Sequence, residues 1–146
     1  MFIQDNDYDR VIDRSIWNKL KGTGNDAIIA EIAQDVIDLA TGHINKRYDP
    51  VTTFARTGGE RDGTLLNVVL EIIVYRVAKR LNPQSLTISV EDAEKTATKT
   101  LEKIQAGKLD LSKADRYPKE DSSGNAIKKG GFRSGGRARN KYRFNN

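Results

Sequence analysis

The sequence predicts an all-α protein, a small helical bundle around one central apolar helix, followed by a long extended basic C-terminal tail. Three observations carry this. Leu65 to Leu81 is apolar almost all the way round a helical wheel, which marks a helix covered by neighbours on several sides. Two other stretches repeat their apolar residues at three- and four-residue steps, the pattern of helices with one buried face. The last quarter of the chain has almost no apolar residues, so it cannot offset the cost of ordering its backbone.

In the central stretch the apolar positions include Leu65, Leu66, Val69, Ile73 and Val77. Its β-branched content also suits a buried strand. Its length, the absence of Gly or Pro and the Tyr75-Arg76 and Lys79-Arg80 pairs favour helix. Glu71, Arg76 and Arg80 interrupt it, which excludes a membrane span. Leu66, Val69, Ile73 and Val77 are core candidates.

Before it, Asp5, Asp7 and Asp9 are cap-type residues ahead of Val11, Ile12, Ile16, Trp17 and Leu20, predicting one or two short helical turns that end at Gly22. Trp17, the only tryptophan, is expected to anchor this segment on the core. From Asp26 to about Tyr48, Ile29, Ile32, Ala33, Val36, Ile37, Ala40 and Ile44 form the apolar face of an amphipathic helix, with Ile37 a core candidate. His43, the only histidine in a chain without cysteine, reads as a surface or interface residue rather than a metal ligand. Asp49-Pro50 stops the helix. The fourteen residues VTTFARTGGERDGT then read as a polar connection, either mobile or used for contact.

After the central helix, Asn82-Pro83-Gln84-Ser85 breaks the chain. Leu86 to Val90 is compatible with an extended segment, and Ser89 with Asp92 fits a capping box. The next helix, Glu91 to Ala106, places Ala93, Ala97, Leu101 and Ile104 on one side and ends at Gly107; Leu101 and Ile104 are core candidates. Lys95, Lys99 and Lys103 form a stripe on another face, which reads as a solvated face ahead of a phosphate-tracking surface. Leu109 and Leu111 are expected to fold back on the core.

Charge divides the chain in the same place. Residues 1–118 hold 17 Lys and Arg against 18 Asp and Glu, whereas residues 119–146 hold 8 against 2. A near-neutral body, residues 1–118, thus carries a basic arm, residues 119–146, the pattern of a docking body with an interaction tail. The acidic N-terminus lacks the features of a signal peptide, and a soluble, non-exported protein is expected. The absence of cysteine removes disulfides and thiolate metal sites.

No motif points to catalysis. Thr57-Gly58-Gly59-Glu60 lacks the Lys and Ser/Thr of a phosphate-binding loop, and His43 has no local partner motif. We expect a protein that is not an enzyme and needs no cofactor or metal. The arm is the constellation with a mechanism: seven Lys or Arg between Lys128 and Arg143, no acid among them, interleaved with glycine and aromatics. Phe132, Arg133, Arg137, Arg139, Tyr142, Arg143 and Phe144 are the candidate partner-binding residues. Such a segment neutralises phosphates and stacks on bases, or adds to a partner's sheet or cleft; composition suits both.

The order of parts resembles the head-tail connector proteins of tailed phages, the neck, adaptor or head completion proteins, in their Mu-like branch. The matching positions are Arg47-Tyr48 before Asp49-Pro50; Leu65-Leu66 and Glu71-Ile72 leading to Tyr75-Arg76; and Ala97 through Leu101-Glu102-Lys103-Ile104, with Ala106-Gly107-Lys108 and Leu111 after it. The connection between Pro50 and Leu65 and the basic tail are both longer than the family pattern. The resemblance implies a helical connector subunit in the virion, at the head-tail junction, assembled in the host cytoplasm. It implies a homo-oligomeric ring of about a dozen copies beneath the portal protein, each bound head-to-tail to the next. Its partners would be the portal protein, a tail or neck protein and, non-specifically, the genomic DNA passing through the channel, with no membrane. The arm would dock on the portal or a neighbouring subunit. The alternative is a nucleic-acid-binding protein that uses the arm.

Overall fold

The computed structural model describes residues 1–117, and these form an all-α bundle with no strand among them. Five α-helices run α1 Arg14–Lys21, α2 Asp26–Ile44, α3 Pro50–Ala55, α4 Gly63–Leu81 and α5 Ile88–Gln105. Short 3-10 turns cover Asp5–Arg10, Gly58–Glu60 and Pro83–Ser85.

The bundle is organised by α4. Ten of its side chains are buried, from Leu65 through Ala78, because α1, α2 and α5 all pack against it. Leu66, Val69, Ile73, Val77, Leu101 and Ile104 are at most 2% exposed, as expected of the core. Ile37 differs. It is only partly buried, because Ala33, Val36, Ala40 and Ile44 take the inward face of α2 and Ile37 falls beside it, at a shallow cleft under the N-terminal residues.

The N-terminal segment folds as two short helical pieces ending at Gly22, whose φ of 62° suits glycine. Trp17 is 1% exposed and stacks on Tyr8, with ring centroids 4.1 Å apart. Burial in this stack pushes the Tyr8 phenol up to about 12. The caps differ from the expectation. Gln4 and Asp13 start the two pieces, the Asp13 carboxylate accepting from Ser15 N, while Asp7 turns inward.

Two further expectations are corrected. The connection after Pro50 is folded: Asp49 caps α3 with Pro50 in its first turn, Thr53 is 1% exposed, and Phe54 meets Phe2 edge-on at 4.9 Å. Leu86 to Val90 is not extended. The fifth helix begins at Ile88, capped by Thr87 rather than Ser89, so Ser89 lies inside its first turn. At the other end Gly107 has φ 76° and closes the helix as the sequence predicts. Ala97 is 1% exposed and Leu111 5%, while Lys95, Lys99 and Lys103 are exposed. His43 Nδ1 donates to Gln105 Oε1 at 2.8 Å, tying α2 to α5. Among the described residues no helix is long and apolar enough to cross a membrane.

Candidate functional site

The seven arm residues singled out from the sequence, Phe132, Arg133, Arg137, Arg139, Tyr142, Arg143 and Phe144, lie outside the described residues. The structure instead describes the root from which the arm departs, and this root is built as a clamp.

Its centre is Tyr48, fully buried just past the end of α2. The Tyr48 hydroxyl accepts from the Leu111 N–H at 2.9 Å, which satisfies a buried backbone donor of the returning chain. Arg47 reaches across from the same turn. Its Nη1 donates to the carbonyls of Ile104 at 2.9 Å and Leu109 at 3.3 Å, and its Nη2 to Asp110 Oδ1 at 2.6 Å. A cation so placed opposes the negative end of the α5 dipole, as a second partner for the Ile104 carbonyl that already accepts from Gly107 N. Gly107, with its φ of 76°, makes the turn that brings the chain back beside the Arg47 guanidinium.

Arg116 completes the cluster, 2.6 Å from Asp110 Oδ2. The Arg47 and Arg116 guanidiniums lie 5.4 and 5.8 Å from the centroid of the Tyr48 ring. Hydrogen bonds from Arg47 and Arg116 hold the Asp110 carboxyl below its ordinary value. The backbone then pairs briefly, with Asp49 N donating to Asp115 O at 2.8 Å and Tyr117 N to Arg47 O at 3.2 Å, an isolated antiparallel bridge between Tyr48 and Arg116. Arg56 of the turn after α3 binds Asp115 at 2.8 Å, and its hydrogen bond lowers the Asp115 carboxyl.

Asp62 fastens the same returning chain higher up. It is 2% exposed; Oδ1 caps α4 by accepting from Leu65 N at 3.0 Å, and Oδ2 accepts from Lys113 N at 3.1 Å and Ser112 Oγ at 3.2 Å. One carboxylate thus starts the central helix and holds the last stretch before the arm. Beside it Arg61 pairs with Asp7 and also donates to the Phe2 carbonyl at 2.7 Å, so the N-terminus is pinned to the loop that Asp62 ends.

A second feature lies at the opposite end of α5. The segment after Arg10, α1, α4 and the first turns of α5 enclose an open groove of about 380 Å³. Ile12, Ile16, Leu20, Val74 and Val90 line it, with Asp13 and Glu71 as its charged residues. Burial pushes the Glu71 carboxyl up from its ordinary value. Among the described residues no group of three or more His, Asp or Glu is placed to hold a metal ion.

The clamp brings together residues that the sequence shows far apart. Arg47-Tyr48, Gly107 and Leu111, which carry the resemblance to the connector proteins, meet in one cluster. Sequence reasoning did not single out Asp110, Arg116, Asp62 or the Asp7–Arg61 pair. Nothing in spacing distinguishes these from solvated surface charges. A family model described as "Bacteriophage Mu, Gp36" matches residues 2–129, covering the whole body and the clamp and stopping before Phe132. No curated protein and no solved structure matches the chain.

Proposed function

This chain belongs to the Bacteriophage Mu, Gp36 family, and we propose that within this Mu-like phage group it is a structural subunit of the head-tail connector. In this reading it assembles as a ring of about a dozen copies beneath the portal protein and joins the capsid to the tail or next neck protein, around the DNA channel. Its work is binding, without catalysis or cofactor.

The observation that supports the reading best is the clamp. Arg47, Tyr48, Asp62 and Arg56 make six hydrogen bonds or ion pairs of 3.3 Å or shorter to the short stretch Leu109–Asp115. That stretch has little apolar surface of its own, with Leu111 its one buried side chain. Fixing it gives the arm a rigid origin, and a rigid origin lowers the entropy lost when the arm finds its partner. A family-matched helical body that fixes the root of a basic, aromatic arm suits a connector whose arm docks on the portal or a neighbouring subunit.

The test is co-assembly. Light scattering of the full chain alone and with the portal protein of the same phage should show small species alone and a ring-sized increment on the portal. A chain that binds neither portal nor tail protein overturns the reading. The alternative, a nucleic-acid-binding protein using the arm, rests on the seven cations between Lys128 and Arg143. It requires binding to DNA or RNA that weakens steeply with salt.

A further inference from the structure

The groove at the start of α5 has an occupant that its chemistry describes. Its walls are apolar, its two charged residues are acidic, and no Lys or Arg lines it. Ile16 on its rim is 50% exposed, and Ile88, between the lining residues Thr87 and Ser89, is 77% exposed. Glu71 is half-buried in the groove wall and makes no hydrogen bond or ion pair among the described residues. Partial burial of a carboxylate with no cation beside it disfavours its charge, and an arriving cation would offset that. Asp13 remains charged at the rim, its carboxyl lowered by hydrogen bonds from Ser15.

The complement is present in the same chain. Residues 128–144 combine seven cations with Phe132, Tyr142 and Phe144, and contain no acid. The volume, about 380 Å³, is within the range of pockets that take an apolar anchor and a few polar contacts.

The root of the arm and the groove stand at opposite ends of α5. The arm departs after Tyr117, beside the C-terminal end of α5, where Arg47 holds the Ile104 carbonyl. The groove is at the N-terminal end, at Thr87 to Ala93. From Ala93 to Ile104 the helix climbs about 17 Å. Donor and acceptor therefore sit at opposite ends of one helix, the arrangement of a head-to-tail contact between copies, which closes to a ring when the rotation permits. The fifteen residues from Tyr117 to Phe132 span at most about 50 Å, enough to reach a neighbour as well as the same copy, and mixed-isotope crosslinking separates the two.

We propose that the groove between α1, α4 and the first turns of α5 receives the C-terminal arm of a second copy of this chain, an aromatic side chain of the arm filling the apolar wall and an arginine meeting Glu71. The contact is the subunit-to-subunit joint of the ring, and it rests on the connector reading only for ring closure.

A fluorescent peptide of residues 128–144, titrated into the full-length chain, tests the contact. The peptide binds the unmodified chain saturably, and Ile16→Lys or Glu71→Lys weakens it at least tenfold with the helical circular dichroism unchanged. Replacing its three aromatics by Ala weakens it by a similar factor. Equal binding to both groove variants overturns the proposal. A photo-crosslinking residue in place of Ile16, in a heavy-isotope copy mixed with a light one, distinguishes the donor. Heavy-groove to light-arm products support the proposal. Products confined to one copy, or joining the groove to any segment other than the arm, overturn it. Capture by the portal protein is measured on the same samples. Failure of the unmodified chain to be captured by portal or tail protein counts against the connector reading and leaves the peptide result standing.

Discussion

Asp7 and Arg61 form a two-pronged ion pair inside the protein, with Nη1 2.5 Å from Oδ2 and Nη2 2.9 Å from Oδ1, and side chains 7% and 8% exposed. Burial alone would raise the Asp7 carboxyl. The hydrogen bonds from Arg61 and the Gln4 N–H, together with the Arg61 charge, outweigh burial and hold it below its ordinary value. Breaking the pair leaves one buried charge uncompensated. Arg61→Ala is therefore expected to cost about 3–5 kcal/mol, read by urea denaturation.

The same pair sets an acid limit. Because the folded value of Asp7 is lowered, its contribution is complete above the unfolded carboxylate value of about 4 and is lost as pH falls through the folded value. The unmodified protein should lose stability below about pH 4 more steeply than Asp7→Asn, whose curve starts lower at neutral pH and is flatter in that window. Thermal melts between pH 2 and 6 measure the difference.

Ile73 lies in the middle of α4 with no exposed surface. Ile73→Asp buries a carboxylate that has no cation near it, and the cost of several kcal/mol is comparable to the whole stability of a small domain. Loss of the cooperative thermal transition is the expected result. A retained transition would place the centre of the bundle elsewhere.

Asp62→Ala removes an N-cap and the anchor of Ser112 and Lys113 at one stroke. The cap alone is worth about 1 kcal/mol. Faster hydrogen exchange at the amides of Leu65 and Lys113 should accompany the loss. Tyr48→Phe, by contrast, should expose only the Leu111 amide to faster exchange, at a cost of about 1–3 kcal/mol for the unsatisfied donor.

For the arm, groove docking and phosphate binding separate under mutation. Changing Phe132, Tyr142 and Phe144 together to Ala is expected to abolish incorporation into particles with the body still folded, since buried aromatic anchors dominate docked contacts. Changing Arg137, Arg139 and Arg143 to Gln is expected to weaken incorporation less. Counting the subunit in purified particles decides it, and the reverse order would make the arm chiefly a phosphate binder.

The helices that could be read in advance are those whose burial leaves a period in the sequence. Helix α4 is apolar on every side, and α2 and α5 on one face, so their places in the core followed from spacing. Helix α3 escaped because it is six residues long and, apart from Phe54, buries only the polar Thr53, too little to print a pattern. The start of α5 was misread because Leu86, Ile88 and Val90 alternate like a strand, yet Ile88 is exposed and Thr87 caps the helix. Buried carboxylates are the hardest case. Asp7 and Asp62 look like any surface aspartate until Arg61, Leu65 and Lys113, distant in sequence or partnered through backbone, are brought to them.

The clamp also determines where a mechanical load would go. A pull on the arm arrives at Tyr117, whose N–H is held by the Arg47 carbonyl, and at Asp115, held by Asp49 N and the Arg56 guanidinium. The tension is thus shared with the 47–56 segment before it reaches the turn at Gly107. In a particle whose parts are dragged against one another, the bundle would be tugged through two chain segments in parallel, and α5 would be shielded from being peeled off α4 from its free end.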